Sequence, residues 1–260
     1  MTGFISSPQN RYLKLYRSLA KRRTRDGLSL LPLEGIRLVK DALQRGIVPE
    51  AVLLREGESW EMTLGTDLDV PVFTVEQKLF DKIAFTDSPQ GIIAIVPRPA
   101  YTVEDIFSDE KALILIADRL QDPGNLGTMI RSAAAAGASG AVLLPGTVDV
   151  TNPKVLRATM GTYFDFPVVE ASFDRVITRI RERGIQLVTT SADADIPYDH
   201  FDWTVPTAVL IGNEGTGVSE IAAQAADAVV SVPMSGDVES LNAAVAMSVI
   251  FFEAARQRRA

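Results

Sequence analysis

The spacing of hydrophobic and polar positions differs between the first 96 residues and the rest of the chain. Upstream of residue 97, apolar residues at three- and four-residue spacing predict a helix over Glu34–Arg45. Short apolar runs predict strands, and a second amphipathic stretch predicts a helix. The strands fall at Ala51–Leu54, Val70–Phe73 and Gly91–Val96, and the helix at Val75–Phe85. Pro97 and Pro99 then interrupt any regular element, because proline lacks an N–H and restricts the residue before it.

From about residue 112, apolar strands alternate regularly with helical stretches. The strands are predicted at Ala112–Ala117, Ala141–Leu144, Phe166–Val169, Gln186–Thr190, Ala208–Gly212 and Val229–Val232. The helices are predicted at Leu126–Ala136, Pro153–Met160, Phe173–Glu182 and Val218–Ala226, with a long final helix from near Leu241. Several strands are uninterrupted apolar runs, which is typical of strands covered on both faces. This order predicts an α/β fold in which crossover helices connect a parallel sheet.

The composition is that of an ordinary globular protein, since 47% of the 260 residues are hydrophobic and 23% are charged. No apolar run reaches the roughly 18 residues that a membrane-spanning helix needs. The segment Met1–Pro8 lacks the charged and apolar regions of a secretory signal. We therefore expect a cytoplasmic protein with no membrane partner.

Cysteine is absent from the sequence, and His200 is the only histidine. Disulfides, thiol nucleophiles and cysteine–zinc sites are therefore excluded. His200 lies in a polar, loop-like stretch, where we expect a surface residue rather than a catalytic one. A cluster of histidine ligands is impossible as well, and we expect no metal site.

Charge is distributed unevenly. The net charge is −7, but residues 1–25 carry seven cations and no acid, which leaves −14 on the remainder. Such asymmetry predicts a basic N-terminal arm that binds nucleic-acid phosphates. A solvated helix face and an arginine-rich organellar transit peptide are the alternatives.

Three unusual segments follow predicted strands, at the edge of an open α/β sheet where ligands bind. In the first, Asp118–Ala133, a Pro-Gly turn leads to Asn125 as the predicted helix N-cap, with Arg131 six residues further on. A capped, alanine-rich core helix with one surface arginine is the simpler interpretation of this segment.

The second segment, Gly212–Ser219, has three glycines in six residues, so its backbone can approach a ligand closely. Glu214 would repel a phosphate, and neither common phosphate-binding glycine motif is present. A ligand with hydroxyls or a cationic centre suits it better, and a tight strand-to-helix turn is the alternative. In the third segment, Val232–Ala246, Ser240 is the predicted cap of the last helix, and Asn242 is a poor helix former in its first turn.

In this order and spacing, the three segments resemble the signature motifs of the SpoU/TrmH (SPOUT) family of RNA 2′-O-ribose methyltransferases. The matching residues are Asn125-x-Gly127-x-x-x-Arg131-x-Ala133, Ile211-Gly212-x-Glu214-x-x-Gly217, and Pro233-Met234 with Glu239-Ser240-Leu241-Asn242 and Val245-Ala246. Upstream, Ser7–Asn10, Leu33–Val39 and Ser88–Ile92 resemble the N-terminal substrate-binding domain of many members. Pro153–Gly161 is also similar to the family.

The resemblance implies a knotted, parallel-sheet α/β catalytic domain with a C-terminal trefoil knot, preceded by a small L30e-like α/β domain. Residues 1–96 would form the basic arm and RNA substrate-binding domain, 97–111 a linker, and 112–260 the methyltransferase domain. The cofactor would be S-adenosyl-L-methionine (AdoMet), bound largely through the backbone of Ile211–Gly217 and Val232–Asn242. The protein would be a homodimer in which Arg131 lies near the cofactor of the other subunit.

The resemblance also implies three sets of site residues. The catalytic set is Arg131, Asn125, Glu214, Ser240 and Asn242. The cofactor-binding set is Ile211, Gly212, Gly215, Gly217, Val232, Met234 and Leu241. The RNA-binding set is Arg11, Lys14, Arg22, Arg23, Arg37, Lys154 and Arg157. Arginine is a weak choice of base because it stays protonated, so Arg131 could equally hydrogen-bond the forming alkoxide or hold a phosphate. The other four catalytic residues would orient the ribose and Arg131.

Absent residue types narrow the kind of methylation. C5 methylation of pyrimidines usually needs a cysteine, and the [ND]-P-P-[YFW] motif of exocyclic-amine methyltransferases is missing. A ribose 2′-hydroxyl remains, and it occurs in RNA but not in DNA. We expect 23S rRNA as the substrate. The alternatives are tRNA, a base such as guanine N1, a nucleotide-dependent enzyme with a doubly wound sheet, and a non-catalytic RNA-binding protein on the same fold.

Overall fold

A computed structural model describes residues 2–59, 70–236, 238 and 240–259. Its strands are β1 Thr2–Ile5, β2 Leu30–Glu34, β3 Ala51–Arg55, β4 Val72–Val75, β5 Ile92–Pro97, β6 Leu113–Ala117, β7 Gly140–Leu143, β8 Val168–Glu170, β9 Gln186–Thr190, β10 Ile196–Pro197, β11 Thr207–Ile211 and β12 Ala228–Ser231. Its α-helices are α1 Arg11–Ser18, α2 Arg22–Leu28, α3 Ile36–Gln44, α4 Gln77–Ile83, α5 Val103–Phe107, α6 Pro123–Ala135, α7 Pro153–Thr159, α8 Phe173–Glu182, α9 Glu220–Ala225 and α10 Ala243–Arg259. Contacts divide the chain into two compact units, residues 1–100 with 149–164, and residues 101–148 with 165–260.

The first unit is built on a five-stranded sheet of order β1-β4-β3-β5-β2. Strands β1, β4 and β3 run parallel, whereas β5 is antiparallel to both β3 and β2. One core joins α1, α4 and the sheet through the buried side chains of Leu13, Tyr16, Leu53, Phe80 and Ile93. The helices and strands predicted between residues 34 and 96 are present, although β4 lies two residues later than expected.

The N-terminal basic segment is folded, which corrects the expectation of an arm. Leu13 and Tyr16 on α1, and Leu19 directly after it, are three residues apart, and all three are buried in the core. Arg25 on α2 is only 3% exposed and forms an ion pair with Asp149. Its guanidinium also donates to the Thr151 hydroxyl at 2.8 Å. The composition of residues 1–25 did not reveal these helices, because only a few of the residues are buried and the seven cations outnumber them.

The second unit holds a seven-stranded sheet of order β10-β12-β9-β11-β6-β7-β8, in which every pairing is parallel. The central strands β6 and β11 are buried at every residue, since helices cover both faces of the sheet. The prediction of a parallel α/β fold is therefore confirmed. The segment expected to be a linker, 97–111, contains α5, whose Val103, Ile106 and Phe107 enter the core of this unit.

Residues 149–164 interrupt the sequence of the second unit but cluster with the first. Helix α7 of this segment packs against β2. A Cβ atom at Gly161 would lie 2.7 Å from the Asp41 side chain, so the chain passes close to α3 there. No pattern in the sequence indicated that this segment joins the N-terminal unit. Among the described helices, none combines the length and the hydropathy needed to cross a membrane.

Candidate active site

The carboxyl ends of four parallel strands meet at one edge of the second unit. Ile211 of β11 pairs with Ala117 of β6, and Leu210 pairs with Thr189 of β9. Val230 of β12 pairs in turn with Thr190. The segments that follow these strands therefore come together, as expected for ligand sites in open α/β sheets.

A cavity of about 420 Å³ opens at this edge. Its lining comes from the last residues of β9 and β11 with the segments that follow them, and from the segment between β12 and α10 with the start of that helix. The lining residues are Thr190, Ser191, Ala192, Ile211, Gly212, Asn213, Glu214, Gly217, Val218, Val232, Met234, Ser240, Leu241, Asn242, Ala243 and Ala246. Both apolar side chains and polar groups face the cavity, which is the mixture found in sites for small molecules.

The loop after β11 has a fixed shape. A Cβ atom at Gly212 would lie 2.2 Å from backbone atoms of Gly217 and Val218, so only glycine fits there. Asn213 and Gly217 exchange two backbone hydrogen bonds, at 3.0 and 2.8 Å. The Asn213 side-chain oxygen also accepts from the amides of Gly215 and Thr216 at 2.9 and 3.0 Å. The loop is therefore held by its own hydrogen bonds in a conformation that presents Glu214.

Hydrogen bonds join one residue from each of the three motifs. The side-chain nitrogen of Asn125, Nδ2, donates to Glu214 Oε1 at 2.9 Å. The Asn242 amide nitrogen donates to the Asn125 amide oxygen, also at 2.9 Å. Asn125 thus uses both ends of its amide to link the first motif to the second and the third. We call these three residues, Glu214, Asn125 and Asn242, the amide bridge.

The helix caps differ from those expected. Helix α6 begins at Pro123, and the Asp122 side chain caps it by accepting from the backbone amide of Asn125 at 2.7 Å. Asn125 therefore lies in the first turn, and its side chain remains available for Glu214. At α10 the cap is Asn242, whose side-chain oxygen accepts from the amides of Ala244 and Val245 at 2.9 and 3.3 Å. Ser240 does not cap this helix but lines the cavity.

Glu214 is held in its ionised form. Partial burial acts to raise its pKa, but hydrogen bonds from the Asn125 side chain and from the backbone of Gln121 and Asp122 outweigh it. The net effect lowers the pKa of Glu214 below its ordinary value. A carboxylate stabilised by amides carries negative charge at neutral pH and is suited to a cationic ligand group.

Arg131 lies on α6 beyond the amide bridge, with an exposed side chain. Within the described part of the chain it has no hydrogen-bond or ion-pair partner and does not line the cavity. The hydroxyl of the following residue, Ser132, shares a 2.8 Å hydrogen bond with the Ser248 hydroxyl, which ties α6 to α10. The structure therefore fixes the helix that carries Arg131 while leaving its guanidinium open to solvent.

The remaining predicted residues divide clearly. Of the cofactor set, Ile211, Gly212, Gly217, Val232, Met234 and Leu241 line the cavity, whereas Gly215 does not. Glu239 of the third motif lies outside the described residues. The seven residues of the RNA set all belong to the first unit, including Lys154 and Arg157 in its second segment. Arg157 is half-buried and the other six are exposed.

Sequence reasoning missed two groups of residues at this edge. Thr190, Ser191 and Ala192 line the cavity after β9, where two consecutive polar residues at a strand end were the available signal. Asp118 and Arg119, which follow β6, form hydrogen bonds with the loop after β11. They lay within the first motif segment, but the motif pattern starts only at Asn125.

The chain is similar in sequence to known proteins over both of its units. Residues 112–252 match the SpoU rRNA Methylase family, and residues 10–94 match the MRM3-like substrate binding domain. The chain is 31% identical to the 23S rRNA (guanosine(2553)-2'-O)-methyltransferase RlmP of Bacillus subtilis (strain 168), over 95% of this chain and 97% of that protein. It is 34% identical to the 23S rRNA (uridine(2479)-2'-O)-methyltransferase of Streptomyces viridochromogenes, over 91% and 85% of the two chains.

A solved structure agrees as well. The SpoU methyltransferase AviRb of Streptomyces viridochromogenes, in complex with the cofactor AdoMet, superimposes with a TM-score of 0.86. The two sequences are 31% identical, and the match covers 96% of this chain and 99% of that one.

Proposed function

Because the chain belongs to the SpoU rRNA methylase family, we propose that it transfers a methyl group from AdoMet to a ribose 2′-hydroxyl of 23S rRNA. The observation that carries this proposal is the amide bridge, which gathers the three motifs at the mouth of one cavity. A surface loop or a simple strand-to-helix turn gives no reason for Asn125, Glu214 and Asn242 to converge. The relatives that methylate 23S rRNA support the choice of substrate.

The cavity suits AdoMet in size and chemistry. A volume of about 420 Å³ lies within the range of roughly 300–1,000 Å³ typical of small-molecule sites. Ile211, Val232 and Leu241 offer apolar surface for an aromatic base, and the tight Gly212 turn exposes backbone groups for hydroxyls. The ionised Glu214 can face a positive charge. We propose that the remaining members of the cofactor set, Gly215, Gly217 and Met234, complete this site.

Bound AdoMet supplies an activated methyl electrophile. The residues of the chain must then orient the RNA hydroxyl and balance the change in charge. Asn125 is committed at both ends of its amide, so we assign it an orienting role. Arg131 is the only cation in the catalytic set and its side chain is exposed, and we propose that it hydrogen-bonds the ribose oxygen or the neighbouring phosphate. Ser240, which lines the cavity, would contact the same ribose.

RNA binding is assigned to the first unit. Its exposed cations Arg11, Lys14, Arg22, Arg23, Arg37 and Lys154, with the half-buried Arg157, offer positive charge for phosphates. On α1, Arg11 and Lys14 are three residues apart and share the face opposite the buried Leu13 and Tyr16. The match to a substrate-binding domain over residues 10–94 supports this assignment.

The finer features that the family implies are proposals as well. We propose a trefoil knot formed by the segments around β11, β12 and α10, and a homodimer in which Arg131 serves the site of the other subunit. Val245 and Phe252, seven residues apart on α10, are 48% and 47% exposed and leave an apolar stripe that supports a second copy as partner. Ribosomal RNA as substrate agrees with a cytoplasmic location.

The experiment is methyl transfer from labelled AdoMet to unmodified 23S rRNA and, separately, to tRNA. We expect label in 23S rRNA, and we expect Arg131→Ala to lower the rate by a factor on the order of 10²–10³ while AdoMet affinity is kept. Label in tRNA alone would move the substrate to tRNA. No transfer to either RNA, together with no AdoMet binding, would support a non-catalytic RNA-binding protein on this fold.

A further inference from the structure

Asp118 is a buried carboxylate whose position the reaction as described above does not explain. It follows the central strand β6 and is only 3% exposed. One of its oxygens, Oδ2, accepts from the backbone amide of Ser219 at 2.6 Å. The other, Oδ1, accepts from Arg119 Nε at 3.2 Å. Burying a charge is costly unless it is paired and hydrogen-bonded, and these two partners meet that condition for Asp118.

The hydrogen bonds of Asp118 reach both ends of the loop after β11. Its amide donates to the carbonyl of Ile211 at 2.9 Å, at the residue where the loop begins. Its carboxylate accepts from Ser219, the residue where the loop ends and the cap of α9. The seven residues between, 212–218, include five that line the cavity. A single side chain and its own backbone therefore close this loop.

Arg119 extends the same attachment into the loop. Its guanidinium donates to the Gly217 carbonyl at 3.3 Å, and its own carbonyl accepts from the Asn213 side chain at 3.0 Å. Its φ angle is +58°, a left-handed conformation that residues other than glycine rarely adopt. This backbone conformation directs the carbonyl and the side chain of one residue to the same loop.

A second carboxylate of the same unit has similar partners and lies away from the cavity. Asp227 accepts from the backbone amide of Leu187 at 2.8 Å and pairs with Arg181 at 2.7 Å. The partners are of the same kind as at Asp118, one arginine and one backbone amide, although the Asp227 side chain is 37% exposed. Leu187 lies near the start of β9, however, at the end of the sheet opposite the cavity. Asp227 therefore serves as a matched control for the energetic role of such a pair.

We propose that Asp118 is a positioning residue for the cofactor, which acts by closing the loop 212–218 and so holding Glu214 within reach of Asn125. This inference rests on the proposed function, because it takes AdoMet as the ligand of the cavity. It assigns a role to a residue outside the three motifs. The loop is fixed before the ligand arrives, which lowers the entropy lost on binding.

The test compares Asp118→Asn with Asp227→Asn in the full chain. Asparagine keeps the shape of the side chain but places an N–H donor against either Arg119 or the Ser219 amide. We expect Asp118→Asn to weaken AdoMet affinity on the order of tenfold, the loss of about one charge-assisted hydrogen bond, as measured by calorimetric titration. We expect Asp227→Asn to leave that affinity unchanged while both variants lower the melting temperature.

Hydrogen exchange in the free protein provides a readout that does not depend on AdoMet. We expect faster exchange in residues 212–220 of Asp118→Asn, with the Ser219 amide most affected, and unchanged exchange there in Asp227→Asn. Combining Asp118→Asn with Asn213→Ala should weaken AdoMet affinity by less than the two separate losses together, because both act on the same loop.

Arg119→Gly covers the case in which Asp118→Asn does not fold. Glycine keeps the left-handed backbone and removes the guanidinium, and we expect faster exchange in the loop and weaker AdoMet binding. The inference is overturned if Asp118→Asn or Arg119→Gly binds AdoMet as tightly as the unaltered chain, or if Asp227→Asn weakens binding equally. If the unaltered chain itself does not bind AdoMet, the proposed function fails and the inference with it.

Discussion

Asn125 links three motifs because both ends of its amide are in use. Its nitrogen donates to Glu214 and its oxygen accepts from Asn242, each at 2.9 Å. Because Asp122 caps α6, the Asn125 side-chain oxygen accepts from Asn242 and not from an amide of its own helix. The amide bridge therefore depends on which residue caps the helix.

Asn125→Asp tests the amide bridge and its dependence on pH. The substitution removes the donor to Glu214 and adds a like charge, so the pKa of Glu214 rises from its lowered value. In the unaltered chain Glu214 stays ionised as pH falls, and the bridge is lost only when pH passes through the lowered pKa. We expect AdoMet affinity of the variant to decline at higher pH than that of the unaltered chain, in titrations between about pH 7 and 4. Coincident pH profiles would contradict the bridge.

Gly212→Ala and Gly215→Ala form a matched pair within one loop. The added methyl group at residue 212 would lie 2.2 Å from backbone atoms, whereas at residue 215 its nearest contact is Asn213 at 3.6 Å. We expect Gly212→Ala to lose AdoMet binding and about 1–3 kcal/mol of stability, as overpacked sites do. Gly215→Ala should keep its stability, and chemical denaturation with calorimetric titration measures both effects. Equal behaviour of the two variants would mean that the loop can rearrange.

At the level of elements, the sequence pattern predicted the strands and helices that bury a run or a face of apolar residues. It missed the elements and helix caps that depend on a single polar contact. Strands β6 and β11 were found because five consecutive buried residues leave a continuous apolar run. Helix α2 was missed because it has almost no apolar residues and therefore shows no helical periodicity. Its buried residue is Arg25. The caps of α6 and α10 could not be chosen in advance, since several capping residues stand within three positions of each helix start.

The same physics limited the prediction of the site. The three motifs located the cavity because they carry glycine, asparagine and glutamate in fixed order. Asp118 lacked a signal, since a carboxylate after a strand is ordinary until its partner Ser219, about a hundred residues later, is known. The partner of Arg25 is likewise 124 residues away. Contacts that join distant parts of the chain are not encoded in local spacing.

Arg25→Ala tests the element-scale claim that α2 is anchored and not part of an arm. Removing one partner of a buried ion pair leaves Asp149 without its cation, and we expect a loss of about 3–5 kcal/mol in the free energy of unfolding. Arg23→Ala, on the exposed side of the same helix, should change stability by less than about 0.5 kcal/mol. Urea denaturation of both variants measures this difference. An Arg25→Ala protein as stable as the unaltered chain would contradict the anchoring of α2 by this ion pair.

At the scale of the whole molecule, the two kinds of predicted site fall in different units. The cavity and the amide bridge belong to the second unit, and the seven candidate RNA-binding cations belong to the first. Net charge concealed this division, because the acidic remainder of the chain outweighs the basic segment. The arrangement implies that cofactor affinity and RNA affinity can be altered separately.

The double substitution Arg11→Ala and Lys14→Ala tests that separation. We expect weaker binding of 23S rRNA and a salt dependence whose logarithmic slope falls by about 1 for each cation removed. AdoMet affinity should be unchanged, since the cavity lies in the other unit. Filter binding over a range of salt concentrations, beside calorimetry with AdoMet, measures both. An unchanged salt slope would remove these residues from the RNA-binding set.

The central claim is that the methyl group goes to a ribose oxygen. The direct measurement is to react the protein with AdoMet carrying a labelled methyl group and unmodified 23S rRNA, digest the RNA to nucleosides, and identify the labelled product by mass spectrometry. The account predicts label in a single 2′-O-methylribose nucleoside and resistance of that position to alkaline cleavage, both lost in Arg131→Ala. Label in a methylated base with an unmodified ribose would contradict it.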